Sequence, residues 1–225
     1  MQAKLDFDKS INEVIYLNTL SESDDKNDKI YFKVIILLLC AKLEKFVKDS
    51  TNEYIDALLK KRLSKDKLPE KLVVEIIKNE LSKIQNDSVE RYMHNEISKK
   101  RSKVLSLIWD NEYYLEVLQK NDFVVSISNN GTTAFEDTYK KIGLPDIIKN
   151  LSDYQQEDAV SDSITTSTKY PISGTINKVI NMRHNIIHDD ATPAITKYEV
   201  DLYVEIFKEF VKQINDELEK EISKL

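Results

Sequence analysis

Turn-formers are scarce in this chain: 225 residues contain only three glycines and four prolines. Average usage is about 7% glycine and 5% proline, so few tight turns can be built here. A sandwich or barrel needs a turn every ~8–12 residues, whereas long helices need few. The chain therefore reads as all-α, a bundle of long antiparallel helices with extra short helices and an irregular middle insertion. Its length is enough to bury one core without disulfides or a structural metal, and a single domain over 1–225 is expected. The lone Cys40 rules out a disulfide framework within the chain and a multi-cysteine metal site. A net charge of −6 excludes a protein that coats nucleic acid by bulk basicity, though not a local basic site.

Apolar periodicity divides the chain. Leu5, Phe7, Ile11, Val14, Ile15 and Leu17 predict a first helix over about 4–20. A long helix over about 28–62 contains Val34-Ile35-Ile36-Leu37-Leu38-Leu39. That run is apolar all round, which predicts that its first half is the most buried element. Pro69 opens a further helix, and 87–119 reads as helical again. Residues 121–131 alternate in polarity and fit a short strand or an extended loop. Thr132 or Thr133 caps a short helix ending at Gly143, and Leu144-Pro145-Asp146 opens a helical turn. The polar stretch 151–171 reads as a surface loop, joining this portion to a C-terminal helix pair over 172–223. Within that pair, Thr196 and Glu199 form a capping box for the last helix, whose apolar stripe is the cleanest in the chain. No stretch approaches the ~20 apolar residues that span a bilayer. The N-terminal segment lacks an apolar signal core, so a soluble, cytoplasmic protein with no membrane partner is expected.

Familiar catalytic signatures are missing. There is no phosphate-cradling glycine loop and no G-x-S-x-G elbow. Histidine is informative because there are only three. His94 lies on a polar helix and fits a surface role. The other two sit in Arg183-His184-Asn185-Ile186-Ile187-His188-Asp189-Asp190. One reading is a metal site: His184 and His188, at i and i+4, share a helix face, with Asp189 or Asp190 as a third ligand. A structural reading has His188 capping the carbonyls of its helix. The third is metal-independent phosphoryl chemistry on RNA. Imidazole moves protons near neutral pH, an Arg fork holds phosphate, and the 2′-OH supplies the nucleophile. On an ideal helix Arg183 and His188 lie about 140° apart with a rise of about 7.5 Å. One copy does not bring them together well unless the helix frays at Asp189, whereas two copies meeting at a two-fold axis do, so a homodimer is expected.

The segment Arg183 to His188 resembles the R-x4-6-H motif of HEPN-domain ribonucleases. Its place near the junction of the last two helices of an all-α bundle is similar as well. Leu37 to Lys48 resembles the long early helix of the RiboL-PSP-type HEPN proteins. The resemblance implies a metal-independent endoribonuclease without cofactor, leaving 2′,3′-cyclic phosphate and 5′-OH ends. It implies a homodimer whose site lies at the two-fold interface. A toxin or antiphage role, with an antitoxin or regulatory partner protein, is implied too. Carried over by position, Arg183 and His188 are the catalytic pair. His184, Asn185 and Glu44 are the substrate-binding residues. The alternative is a HEPN-like module that binds RNA, a nucleotide or a partner protein without cleaving. Where the family commonly has Gly after the His, this chain has Asp189-Asp190, two charges that repel RNA. The basic clusters Lys60-Lys61-Arg62 and Lys99-Lys100-Arg101-Ser102-Lys103 read as solvated helix faces.

Overall fold

The computed structural model describes residues 1–21, 28–61, 63, 67–75, 77–78, 131–161 and 164–224. The predicted helix over 87–119, the extended segment at 121–130 and the basic cluster at 99–103 lie outside those residues.

Helices dominate, as the shortage of turn-formers requires. They are α1 (Gln2–Ser10), α2 (Asn12–Ser21), α3 (Asp28–Lys60), α4 (Thr132–Lys141), α5 (Ile172–Asp189) and α6 (Lys197–Lys224). Residues 70–75 form a further helical turn directly after Pro69, whose carbonyl accepts its first hydrogen bond, from Val73 N–H at 3.2 Å. The predicted first helix is broken at Ile11 into α1 and α2. Beside the break, Ser10 Oγ donates to Phe7 O at 3.0 Å, a side-chain competition with the backbone that bends helices.

Helix α3 is about 50 Å long and is the axis of the bundle. It touches α1, α2, α4, α5 and α6. Its buried row is Ile35, Ile36, Leu39, Cys40, Leu43, Phe46, Val47, Tyr54, Ile55 and Leu58. Phe7 packs edge-on against Phe46, and Lys42 pairs with Glu13 at 2.6 Å, so α1 and α2 run antiparallel to α3. Glu53 accepts from the N–H groups of Gln2 and Ala3 at 2.9 and 2.7 Å, satisfying donors that the start of α1 leaves open. Helix α5 packs against both α3 and α6. The amphipathic stripe of α6 closes the core through Val200, Tyr203, Phe207, Phe210, Ile214 and Leu218.

Three local expectations need correction. Gly131, not Thr132 or Thr133, precedes α4 at φ +53°, and Asn177 of α5 accepts from Thr132 N–H at 2.8 Å. A Cβ at Gly131 would meet Asn177 Oδ1 at 2.2 Å, so only glycine fits. From Leu144 the expected helical turn goes no further than turns with one helix-like bond, Asn150 N–H donating to Asp146 O at 2.9 Å. The stretch read as a surface loop is an antiparallel hairpin, β1 (Tyr154–Ser161) and β2 (Ile164–Tyr170). Its β-branched Ile164-Thr165-Thr166 and Thr168 favour a pleated strand, and polarity alone concealed that preference. Tyr154 and Tyr170 pair at its base, and Gln156 Nε2 donates to Tyr198 Oη at 2.9 Å, tying it to α6.

The capping box forms as expected. Glu199 accepts from Thr196 N–H at 3.0 Å, and Thr196 Oγ1 accepts from Glu199 N–H at 3.2 Å. The Thr196 N–H, then Lys178 at 3.3 Å, hold the Glu199 carboxyl below its ordinary pKa. A depressed carboxyl stabilises fully above the unfolded value of about 4.3 and is lost as pH falls through the folded one. Glu199→Ala should therefore cost about 1 kcal/mol at pH 7. Urea denaturation at pH 7 and pH 3 should show the gap between variant and wild type narrowing at the lower pH.

Candidate functional site

The C-terminal half of α5 lies against the N-terminal half of α3, and three contacts set the register. Cys40 Sγ donates to Val179 O at 4.0 Å. Arg183 Nη2 lies 3.8 Å from Glu44 Oε1. Lys33 Nζ donates to Asp190 O at 2.7 Å and to Asp190 Oδ1 at 2.6 Å. Residues 33, 40 and 44 fall on one edge of α3, and through that edge it meets α5.

Arg183 and Glu44 are half-buried in this groove. Burial pushes the Glu44 carboxyl up, and the Arg183 guanidinium opposes that push. Beside them the Cys40 thiol is pushed up to about 12, chiefly by burial, so it stays protonated and unreactive. His188 lies on the outer surface of α5. Its ring sits 4.3 Å, centroid to centroid, from that of half-buried His184, tilted by 47°. Among the described residues neither imidazole has a hydrogen-bond or ion-pair partner, so His188 does not cap its own helix. That role falls to the backbone: Asp190 turns left-handed at φ +49°, and Asn185 O accepts from Ala191 N–H at 3.2 Å.

A RiboL-PSP-HEPN family model matches residues 5–220. The chain belongs to the RiboL-PSP-HEPN family. No curated protein and no solved structure matches it.

Seen as a HEPN bundle, the chain brings its motif residues together only in part. Arg183 meets Glu44 in the groove, and His188 stacks with His184 outside it. The helix stays regular through Asp189, so Arg183 and His188 remain on different faces, as the ideal spacing dictates. The Asn185 side chain is exposed, one helical turn from His188 and on the side of α5 away from Arg183. Glu44, the residue expected to bind substrate from α3, is the carboxylate that faces Arg183. Lys33 is the residue that sequence reasoning missed. Its ion pair offsets one of the two acidic charges after the motif, and this hydrogen bond lowers the Asp190 carboxyl pKa. No local pattern joins residues 157 positions apart, but the step from Lys33 to Glu44 along one helix edge was visible. Among the described residues no group of three or more His, Cys, Asp or Glu could hold a metal ion. None of their helices is long and apolar enough to cross a membrane.

An apolar face flanks the motif. Ile187 is 51% exposed, Ile30 61% and Val34 38%, while Leu37 and Leu38 are only partly covered. The all-round apolar run of α3 is therefore not buried all round, contrary to expectation. Helical geometry places Ile30, Val34 and Leu37 on one side of α3, next to Lys33.

Proposed function

We propose that this protein is a metal-independent endoribonuclease of the HEPN type, acting as a homodimer on RNA. The observation that carries the proposal is the motif's division. Arg183, the phosphate ligand in this reading, lies in the α3–α5 groove, and five residues on His188 is exposed, with no hydrogen-bond or ion-pair partner among the described residues. Neither suffices alone, and two copies meeting on the Ile30–Val34–Ile187 face would bring two Arg183 and two His188 around one phosphate. That face also gives the uncovered apolar surface a role.

In the reaction, one His188 takes the proton from a ribose 2′-OH. The freed O2′ attacks phosphorus, and the P–O5′ bond breaks. The Arg183 guanidinium stabilises the charge that builds on the pentacoordinate phosphorus. His188 of the second copy, as imidazolium, protonates the departing O5′. The products are a 2′,3′-cyclic phosphate and a 5′-OH. RNA phosphate has to compete with Glu44 for Arg183, so Glu44 tempers substrate binding. In this reading the protein is a toxin or antiphage effector in the cytoplasm, restrained by an antitoxin or regulatory protein.

The test is the chemistry of the fragment ends. With EDTA present, purified protein should cut end-labelled tRNA. The new 5′ ends should accept phosphate from polynucleotide kinase without prior dephosphorylation. Ends bearing 5′-phosphate, or cleavage that EDTA stops, would contradict the proposal. A second reading, a HEPN module that binds without cleaving, is favoured by the carboxylate of Glu44 lying against Arg183. It predicts RNA retention with no fragments at all.

A further inference from the structure

His184 and His188 are neighbours on one helix face, and their rings are 4.3 Å apart. His184 is half-buried and His188 exposed, so solvent reaches the pair. Apart from this mutual contact, no described side chain or carbonyl hydrogen-bonds to either ring, so among the described residues the ring nitrogens are uncommitted. Imidazoles at i and i+4 reach a common point in front of the helix, and small rotations about their side-chain bonds bring one nitrogen of each to an ion. Asp190, the acidic group that would compete for such an ion, is held by Lys33 at 2.6 Å on the α3 side.

We propose that His184 and His188 form a two-ligand site for a borderline divalent ion of the zinc class, with water completing its coordination. Imidazole suits Zn²⁺, Ni²⁺ and Cu²⁺, whereas Mg²⁺ demands oxygen ligands and stays in solution. The site is distinct from a catalytic metal centre: the ion takes the imidazole lone pair that His188 needs to accept a proton. Zn²⁺ is therefore a reversible inhibitor of the nuclease, a consequence that rests on the proposed function, while the binding site does not.

Isothermal titration of the full chain with ZnSO₄, NiCl₂ and MgCl₂ tests it. Wild-type protein should bind Zn²⁺ and Ni²⁺ and show no heat with Mg²⁺. Losing a second-shell partner costs about 10–100-fold in metal affinity, and losing one of only two ligands costs at least that. His184→Ala and His188→Ala should each weaken Zn²⁺ binding by at least about tenfold. His184→Gln and His188→Gln, which keep the side-chain bulk, should do the same. Absence of Zn²⁺ binding in wild type, or wild-type affinity in these variants, would overturn the site. Cleavage assays with added Zn²⁺, then excess EDTA, read the inhibition separately. A protein that binds Zn²⁺ but cuts no RNA keeps the site and loses the nuclease proposal. A nuclease that binds no Zn²⁺ does the reverse.

Discussion

His188→Ala should abolish RNA cleavage while leaving the bundle folded. General acid–base catalysis is worth about 10²–10⁴-fold, and this imidazole is asked both to take the 2′-OH proton and to return one to O5′. Its side chain is exposed and bonded to nothing described, so truncation should change stability by less than about 0.5 kcal/mol. Loss of activity can then be assigned to chemistry. Arg183→Ala is less clean, because it leaves the half-buried Glu44 carboxyl without its cation. The double variant Arg183→Ala/Glu44→Gln removes that complication and should still lose about 10²–10³-fold. Arg183→Lys should not restore the rate, since a point charge cannot hold phosphate through two parallel hydrogen bonds. Initial rates on labelled tRNA with EDTA present measure all four proteins. Undiminished cleavage by His188→Ala would mean that the site is misassigned or that the activity is a contaminant.

How far the sequence could be read follows the range of the interactions. The α6 stripe and the Thr196–Glu199 box are local patterns with one physical meaning, and both form. The motif residues were visible because histidine is rare, and their separation around α5 followed from helical geometry. Polarity misled at 154–170, where Thr is a strand-former that happens to be hydrophilic. Lys33–Asp190 and Glu44–Arg183 join α3 to α5 across most of the chain, so no periodicity announces them. Glu44 came into view only through resemblance to a family. The most instructive failure is the apolar run of α3. Periodicity shows that a face is apolar but not whether its cover comes from the same chain. Residues 30, 34 and 187 are where that distinction bears on the proposed dimer.

The same face yields the sharpest test of assembly. Ile30→Asp places a carboxylate on α3 rather than on the motif helix, at a residue that is 61% exposed in the single chain. In a monomer such a change is close to neutral, because the side chain is already in water. In a two-fold dimer it acts twice, once from each copy, and opposed or desolvated like charges cost several kcal/mol. Even about 2.7 kcal/mol corresponds to roughly a hundredfold weaker self-association. Sedimentation velocity should therefore find wild type dimeric and Ile30→Asp monomeric at the same micromolar concentration. Thermal unfolding of the variant, measured where both proteins are monomeric, should match wild type. Cleavage should fall with dimerisation, and raising the variant's concentration should recover it in step with the dimer fraction. Ile187→Asp should behave alike in sedimentation, but its carboxylate adjoins His188, so only Ile30→Asp separates assembly from catalysis. A monomeric Ile30→Asp protein that still cleaves at the wild-type rate would mean that one chain holds a complete site. Arg183 and His188 would then have to converge within a single copy, which the regular helix between them prevents.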